Sequence, residues 1–597
     1  MMKRFGVYCV MVLAWTIVAR AIPAFPGART FVQPDGTTIT LQTCGDEWCH
    51  WTTTADGYTV MQDERGFMTY ARVDGDRLVP TEVVAHDRRT AVEEAFLATM
   101  SKNLLPEGAV AAGRRTGCAA RETLSPRRAT DWSNYRGLVV LVNFTDSVFS
   151  VGQTDEEIRS YYDLFCNGTR DGELYKGHGS YGSVRDYFVQ QSGGIFQPEF
   201  TIIGPVTLPN PESTYGKNGS SSKDTGYSDF RKDAVSEATQ IYEGDWMDFD
   251  NKGKGQVDMV FYVYAGCGEN SGAAETTIWP KESTASTTVN GIKFATTGCT
   301  SESSLVYGRV GNEVVPVRTV PDGIGVFCHE LSHALGLPDF YDTSYKAFGM
   351  DLWSIMDYGC YGNNGYTPGS YTAYERDYMG WRSLVTLGDS CCDLILQPTE
   401  AGGVGYKIVN DENPDEYYII ENRQSVGWDE TIGRMGHGLQ VTHVDFSASA
   451  WRSNTVNTTA NHQRMTIFAA NNRYVGTSIS GDFSEWRETW SGNLYPYKMS
   501  AWEYNDSLTA NSIPAATVYT ASGFMNKNLN AIKELEDGSV SLHYGNDYDV
   551  VGIRQLASDE RRKTQEVYDL AGRRLGGQPA TLKPGIYVVG GRKRVVR

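Results

Sequence analysis

Two histidines four residues apart, with a glutamate directly after the first, are the residues of this chain best suited to chemistry. They are His329, Glu330 and His333, and Gly336 and Asp339 follow them. On a helix the two imidazoles share one face, where both can reach a single Zn²⁺ ion at about 2 Å. Glu330 is then placed to take a proton from a water whose pKa the ion lowers from about 15.7 toward about 7.

The residues after this helix supply the third ligand that a protein zinc site requires. Gly336 can end the helix in a left-handed conformation, and Leu337-Pro338 prevents the helix from continuing. The chain therefore turns sharply and brings Asp339 toward the ion, in the pattern H-E-x-x-H-x-x-G-x-x-D. Glu375, in TAYERDYMGW, and Asp342 are alternatives for the third ligand. The Gly-x-x-Asp spacing favours Asp339 because it explains the bend directly.

A second segment, DLWSIMDYG, follows at Asp351 to Gly359. Its Ser-Ile-Met-Asp-Tyr-Gly resembles the methionine turn of the metzincin metalloproteases, in which a methionine lies beneath the zinc histidines. The resemblance implies that Met356 forms this floor. It also implies that Tyr358 approaches the metal and stabilises the oxyanion, a role that only part of the clan uses. Packing in the core is the alternative for both side chains.

Longer stretches between residues 130 and 470 resemble the secreted metallopeptidases of the immune inhibitor A family. They are SVRDYFVQQSGGIF, HELSHALGLPDFYD, TPGSYTAYERDYMGW and ENRQSVGWDETIGRMGHGLQVTHVDF. The resemblance implies a zinc endopeptidase acting on proteins or peptides. Its Zn²⁺ would be held by His329, His333 and Asp339, with Glu330 as the general base. The sequence has no recognisable additional repeat domains, so the substrate range of the family does not carry over.

Composition and the first residues indicate an exported protein. The formal charge of -18, with no long basic stripe, argues against nucleic acid as a partner. The start MMKRFGVYCVMVLAWTIVARA predicts a signal peptide, with Lys3 and Arg4 before a short apolar run and Ala19-Arg20-Ala21 as the cleavage site. An uncleaved anchor is the alternative. No later stretch is long enough to span a membrane. We expect a secreted protein, extracellular or on a bacterial cell surface.

The coarse pattern predicts an α+β multidomain protein, because 597 residues are too many for one core. GLVVLVNF and VDMVFYVYAG predict buried strands of a metzincin-like α/β catalytic domain, and short β-prone runs dominate before and after it. The predicted regions are a signal peptide (1–21), a prodomain and Arg-rich linker (22–128), the catalytic domain (129–385), a β-rich region packed on it (386–547), and a small C-terminal module resembling a bacterial sorting tail (548–597).

The N-terminal domain and its linker suggest a zymogen. Arg114-Arg115 and Arg127-Arg128 are candidate processing sites in the linker. Four side chains in the segment TCGDEWCHW could block the zinc: Asp46, Glu47, Cys49 and His50. The alternative is an accessory β domain with a Cys44–Cys49 disulfide, since ten of the eleven cysteines follow the signal peptide and export permits disulfides.

Two weaker motifs and two rival functions remain open. DFDNKGKGQVD resembles a Ca²⁺ loop with Asp248, Asp250 and Asp258 as ligands, and an Asp/Gly-rich turn is the alternative. GHGLQVTHVD holds His437, His443 and Asp445, for which a structural role is favoured over a second metal site. An inactive surface adhesion or binding protein on the same fold, and a zinc aminopeptidase, are the alternatives to an endopeptidase.

Overall fold

The computed structural model describes residues 19–75, 77–105, 134–168, 179–219, 223–310, 313–475, 483–500 and 504–546, together with four short strands between 567 and 596. The predicted signal peptide up to residue 18 and the predicted Arg-rich linker with both arginine pairs lie outside the described residues. Among the helices that the structure describes, none has the length and apolar character needed to cross a bilayer.

The N-terminal region contains a six-stranded antiparallel sheet, whose strands are the second to the seventh of the chain and pair in chain order. Asp-Gly turns connect several of these strands, as the sequence predicts. A capping box between Thr90 and Glu93 closes the first turn of the helix that packs on the sheet. The elements are β1 (Ala19–Ala21), β2 (Ala28–Val32), β3 (Thr38–Gly45), β4 (His50–Thr54), β5 (Thr59–Gln62), β6 (Met68–Asp74), β7 (Arg77–Val84) and α1 (Ala91–Leu97).

A mixed sheet, whose central strands run parallel, forms the middle region, with helices between its strands. Its elements are β8 (Arg136–Asn143), α2 (Asp155–Asn167), α3 (Val184–Gln191), β9 (Glu199–Thr207), α4 (Glu212–Gly216), α5 (Tyr227–Ile241), β10 (Val257–Cys267), β11 (Lys281–Ser283), β12 (Thr287–Val289), β13 (Ile292–Val310), β14 (Glu313–Pro321), α6 (Gly325–Leu335) and α7 (Ala373–Tyr378). The strand order is β1-β11-β13-β10-β8-β9, and β12 and β14 also pair with β13. Strand β11 is antiparallel to β13 and carries β1 on its outer edge.

Side chains alternate between the two faces of the central strands β8 and β10. Leu141 and Phe261 belong to the core that contains α6, where the Phe261 ring stacks on Phe327 at 3.7 Å. Val140 belongs to the opposite core, together with Phe230 of α5. Helices therefore cover both faces of the sheet, which explains why the sequences of these two strands read as continuous apolar runs.

The region after residue 385 is rich in strands, as the sequence predicts. Its elements are β15 (Val385–Thr386), β16 (Cys392–Leu396), β17 (Tyr406–Asn410), β18 (Asn413–Arg423), α8 (Glu430–Met435), β19 (Gly438–Asp445), α9 (Ala448–Arg452), β20 (Met465–Ile467), α10 (Phe483–Trp490), β21 (Tyr497–Lys498), β22 (Tyr504–Asn505), β23 (Leu529–Glu534) and β24 (Val540–Tyr544). They form sheets of order β15-β17-β18-β19-β20 and β16-β24-β23, plus the pair β21-β22.

The segment near residue 570 forms a small antiparallel sheet of order β26-β25-β27-β28. The sequence predicts two strands here, and the structure has four short ones. They are β25 (Val567–Tyr568), β26 (Arg574–Leu575), β27 (Gly585–Val589) and β28 (Arg592–Val596).

The five-stranded sheet of the β-rich region contributes its two faces to two different cores. Ile419 and Val444 belong to the same core as α6, whereas Ile420 and Val441 belong to the core shared with the three-stranded sheet. Alternate side chains of one strand point to opposite faces, so β18 and β19 each take part in both cores. The β-rich region and the middle region therefore share one hydrophobic core.

A buried ion pair reinforces this junction. Arg423, at the end of β18, donates to both carboxylate oxygens of Asp429 at 2.7 and 2.8 Å. Its guanidinium also donates to the backbone carbonyls of Trp353 and Ser370, which belong to the middle region. The Ser370 N–H and hydroxyl donate in turn to Asp429. One arginine thus joins the β-rich region to the methionine-turn segment, through Trp353, and to the chain after it, through Ser370.

Candidate metal centre

Helix α6 carries both histidines and the glutamate, and it runs through the interior of the protein. All residues from Gly325 to His333 are buried. The helix ends where the sequence predicts: Gly336 has a φ of 130°, a conformation that favours glycine. The N–H groups of Gly336 and Leu337 donate to the Ser332 carbonyl and close the end of the helix. The chain then turns back toward the histidines.

The side chains of His329, His333 and Asp339 converge at one point. Asp339 Oδ1 lies 3.3 Å from His329 Nε2 and 3.1 Å from His333 Nε2, and all three side chains are buried. The Nδ1 atoms face backbone carbonyls, those of Ile355 at 2.7 Å and Leu337 at 2.8 Å. Because a carbonyl only accepts, both Nδ1 atoms carry a proton, which leaves the Nε2 atoms, on the side of the carboxylate, as the atoms that could bind a metal. Two imidazoles and a carboxylate form a donor set suited to Zn²⁺.

Burial and neighbouring charges set the acidity of the two acids at this centre. Burial by itself would raise the pKa of Asp339, but the charges of His333 and His329 and their hydrogen bonds lower it below its usual range. Burial raises the pKa of Glu330 well above its usual value, and the negative charge of Asp339 acts in the same direction. The backbone N–H of Ile22 faces the Glu330 carboxylate and opposes this shift. A carboxylate with a raised pKa holds a proton more readily, as a proton carrier must.

Glu375 and Asp342, the alternatives to Asp339, have other partners. Glu375 closes the first turn of α7 through Thr372 and accepts a hydrogen bond from the Ser354 hydroxyl at 2.5 Å. Asp342 accepts hydrogen bonds from the N–H and hydroxyl of Ser344 at 2.7 Å. In the part of the chain that the structure describes, the two histidines and Asp339 form the one group of three metal-ligating side chains with ligand atoms within 4.8 Å of one another.

The methionine-turn segment lies against the first histidine. Ile355 supplies the carbonyl that holds its imidazole. Met356 is buried in the same core as α6, and its carbonyl accepts from the Phe340 N–H at 2.9 Å. The Tyr358 ring is partly buried and meets the Trp486 ring edge-on at 5.0 Å. The segment thus lies beside the candidate metal centre, and the roles predicted for Met356 and Tyr358 stay predictions.

The two weaker motifs do not form comparable clusters. In the Asp-rich turn, Asp250 accepts hydrogen bonds from the N–H groups of Lys254 and Gly255, and Asp258 accepts from the Lys252 N–H. These carboxylates close a turn, so calcium stays a prediction without support from the geometry. The other motif also has separate partners: His437 pairs with Glu534, His443 with Glu416, and Asp445 with His462.

A segment of the N-terminal region, Ile22 to Phe25, packs against the middle region, and Ile22 lies in the same core as α6. The Ile22 carbonyl accepts from Trp279 Nε1 at 3.2 Å, and the Pro23 carbonyl accepts from the Tyr361 hydroxyl at 2.7 Å. The Phe25 N–H donates to the Asn270 carbonyl at 2.8 Å. Sequence reasoning missed this arrangement, because no local pattern marks a tryptophan or a tyrosine that meets a segment more than 250 residues away.

The four candidates for blocking the zinc have different surroundings. Asp46 accepts from the N–H groups of Trp48 and Cys49, and His50 pairs with Glu269 at 2.8 Å. Cys49 lies in a small apolar cluster with Cys44, although among the cysteines in the described ranges no disulfide is formed. The surroundings of Glu47 differ from those of the other three.

Glu47 is the candidate whose charge acts on the acids of the metal centre. It is buried, and neither carboxylate oxygen has a hydrogen-bond partner among the described residues. Burial raises its pKa well above the usual value, and the charges of Asp46 and Asp339 add to this shift. The charge of Glu47 in turn raises the pKa of Glu330. The tip of the β3-β4 hairpin therefore adds a carboxylate to the electrostatic environment of the candidate site.

The middle of the chain is similar in sequence to known metallopeptidases. The model of the immune inhibitor A peptidase M6 catalytic domain matches residues 130–383. The chain is 26% identical over 286 residues to immune inhibitor A of Bacillus thuringiensis subsp. alesti, which is 42% of this chain and 41% of that protein. It is 22% identical over 275 residues to the pre-pro-metalloprotease PrtV of Vibrio cholerae, which is 40% of this chain and 29% of that protein. The matches thus span less than half of these relatives.

Proposed function

Since residues 130–383 belong to the immune inhibitor A peptidase family, we propose that this protein is a zinc-dependent endopeptidase that is made as a latent precursor and acts outside the cell. The observation that carries the proposal is the convergence of His329, His333 and Asp339 beside Glu330. Three protein ligands of these types are what catalytic zinc sites use.

Each residue of the centre has a role that follows from its contacts. Zinc bound by this donor set would polarise the scissile carbonyl and lower the pKa of water. Glu330 accepts the proton that the attacking water gives up and carries it to the nitrogen of the leaving amine. The carbonyls of Ile355 and Leu337 fix the tautomer and the orientation of the imidazoles. The Tyr358 hydroxyl donates to the oxyanion, which develops as water attacks the scissile carbonyl.

The N-terminal region is the proposed latency device. Ile22 to Phe25 lie where a peptide substrate would have to enter, and Glu47 is the side chain that we assign to blocking the metal centre. Cleavage in the Arg-rich linker would then allow this region to leave. The name of the Vibrio cholerae relative, a pre-pro-metalloprotease, describes a protein with a leader and a pro-segment, the same two regions that the sequence predicts here.

A comparison of the intact and the processed protein tests the proposal. The full chain is purified, a portion is cut in the Arg-rich linker with trypsin, and both forms are incubated with a denatured protein. We expect the cut form to produce fragments with new internal termini. A chelator should stop this cleavage and Zn²⁺ should restore it, while the intact chain should remain nearly inactive.

Matched variants separate the chemistry from the fold. Glu330→Gln should abolish cleavage while it retains bound zinc, whereas Glu156→Gln, at an exposed position at the start of α2, should cleave as the wild type does. A cut wild-type protein that binds zinc but produces no fragments would favour the inactive binding protein. Release of single terminal residues alone would indicate an aminopeptidase.

A further inference from the structure

Residues of the middle region hold the Ile22–Phe25 segment through hydrogen bonds to its backbone. Trp279 Nε1 donates to the carbonyl of Ile22, and the Tyr361 hydroxyl donates to the carbonyl of the next residue, Pro23. The Asn270 side chain donates to the same hydroxyl at 3.2 Å, so the hydroxyl hydrogen is left to point at the segment. Two buried donors therefore meet two consecutive carbonyls of one chain.

The position of this segment relative to Glu330 indicates which of its peptide bonds corresponds to the scissile bond of a substrate. In the precursor, before the predicted signal-peptide cleavage after Ala21, β1 pairs antiparallel with β11, with Ala21 opposite Lys281, and it contacts α6, the helix that carries Glu330. The Ile22 nitrogen follows directly and its N–H acts on the Glu330 carboxylate, so the bond between residues 21 and 22 lies beside the proposed proton carrier. After this bond, the chain passes to Trp279 and Tyr361. In a substrate peptide, Glu330 would deliver the proton to the leaving nitrogen, and the Ile22 nitrogen occupies that position here.

We propose that Trp279 and Tyr361 are substrate-positioning residues, which bind the backbone carbonyls of the first and second residues after the scissile bond. The inference rests on the proposed peptidase function. Once the N-terminal region leaves, the indole N–H and the phenol hydroxyl lose their acceptors. Buried donors are nearly always satisfied in proteins, and a substrate peptide in the same path restores both hydrogen bonds.

These contacts also indicate the class of substrate. Both donors bind carbonyl groups, which every residue has, so they recognise the backbone of a polypeptide rather than its sequence. Pro23 has no backbone N–H, so binding does not require a backbone N–H at the second residue after the cleaved bond. The Ile22 side chain is different, because it is buried in the same core as α6. We therefore expect an apolar residue directly after the cleaved bond.

Peptides of two lengths test the assignment in the linker-cut enzyme. One extends four residues beyond the cleaved bond, and the other ends as an amide one residue beyond it. Tyr361→Phe should lower kcat/KM about tenfold for the long peptide and leave that of the short one unchanged, because only the long peptide has the second carbonyl. Trp279→Phe should lower kcat/KM for both. Tyr366→Phe is the matched control, since that hydroxyl donates to the Pro321 carbonyl instead.

A binding measurement makes the test independent of turnover. The peptide Ile-Pro-Ala-Phe-Pro-Gly, the sequence of residues 22–27, is titrated by calorimetry into the linker-cut Glu330→Gln protein. Adding Tyr361→Phe should raise its Kd about tenfold, and adding Tyr366→Phe should not. Equal losses for both peptides with Tyr361→Phe, or an unchanged Kd, would overturn the inference. Absence of cleavage by the wild type, with normal peptide binding, would count against the peptidase function alone.

Discussion

Replacing Arg423 by methionine should cost far more stability than the same change at an exposed ion pair. The Arg423 guanidinium is fully buried and donates to both oxygens of Asp429 and to the carbonyls of Trp353 and Ser370. Methionine is flexible and fills a similar volume, but it offers no donor. Asp429 would then be left as a buried charge whose remaining donors come from Ser370.

The expected loss is about 3–5 kcal/mol, the usual cost of removing one partner from a buried pair. The matched control is Arg434→Met, 11 positions further along the chain. Arg434 pairs with Glu430 one helical turn away, but its side chain is 69% exposed. Exposed pairs of this spacing contribute about 0.5 kcal/mol or less. The two variants remove the same kind of group and differ mainly in burial.

Urea unfolding of the full chain, followed by tryptophan fluorescence, measures both changes, because Trp353 and Trp428 are buried next to the pair. With an m value of about 3 kcal/mol/M, the midpoint of the transition should fall by about 1 to 1.7 M for Arg423→Met and by less than about 0.2 M for Arg434→Met. The double variant Arg423→Met/Asp429→Leu should recover much of the loss, since no charge is then left unpaired.

Equal shifts for Arg423→Met and Arg434→Met would refute the reasoning, because burial would then make no difference. Failure of the double variant to recover any stability would also contradict it. The cost would then come from the lost hydrogen bonds to Trp353 and Ser370 rather than from the uncompensated charge of Asp429.

Three further predictions concern single acids and a phenol. Burial raises the pKa of Asp351 to about 7, so between about pH 4 and 7 only the unfolded state releases this proton and stability falls as pH rises. Asp351→Asn should therefore gain at most about 4 kcal/mol over the wild type across that range, measured by urea midpoints. Glu47→Gln should raise proteolysis by the intact chain without changing its zinc content. Tyr358→Phe should lower kcat about 100-fold with little change in KM, and an unchanged kcat would remove Tyr358 from the mechanism.

The candidate ligands could be predicted from the sequence because local geometry brings them together. His329 and His333 are one helical turn apart, and the bend at Gly336 follows from the conformational freedom of glycine and from Pro338 two residues later. Asp339 follows this bend by three residues, although the distant Asn454 also binds its backbone N–H and its Oδ2. The two central strands were equally accessible to prediction, since strands covered on both faces have continuous apolar sequences.

The surroundings of the centre could not be predicted, because they depend on how distant segments pack. Trp279 meets Ile22 and Tyr361 meets Pro23 only after the N-terminal region has docked. The same holds for Glu47, which the sequence could place in a short list of four but not beside Asp339. Hydrogen bonds to backbone N–H groups, as at Asp250, are also invisible in a spacing pattern that resembles a calcium loop.

The packing of β18 and β19 on both faces limits how the candidate metal centre can be transferred to another protein. Residues 130–383 contain every proposed ligand, but a fragment that stopped there would expose to water the core side that Ile419 and Val444 cover. It would also lack Arg423 and its contacts to Trp353. Grafting α6 into another scaffold would therefore require the following strands as well, because the candidate metal centre and the β-rich region share one core.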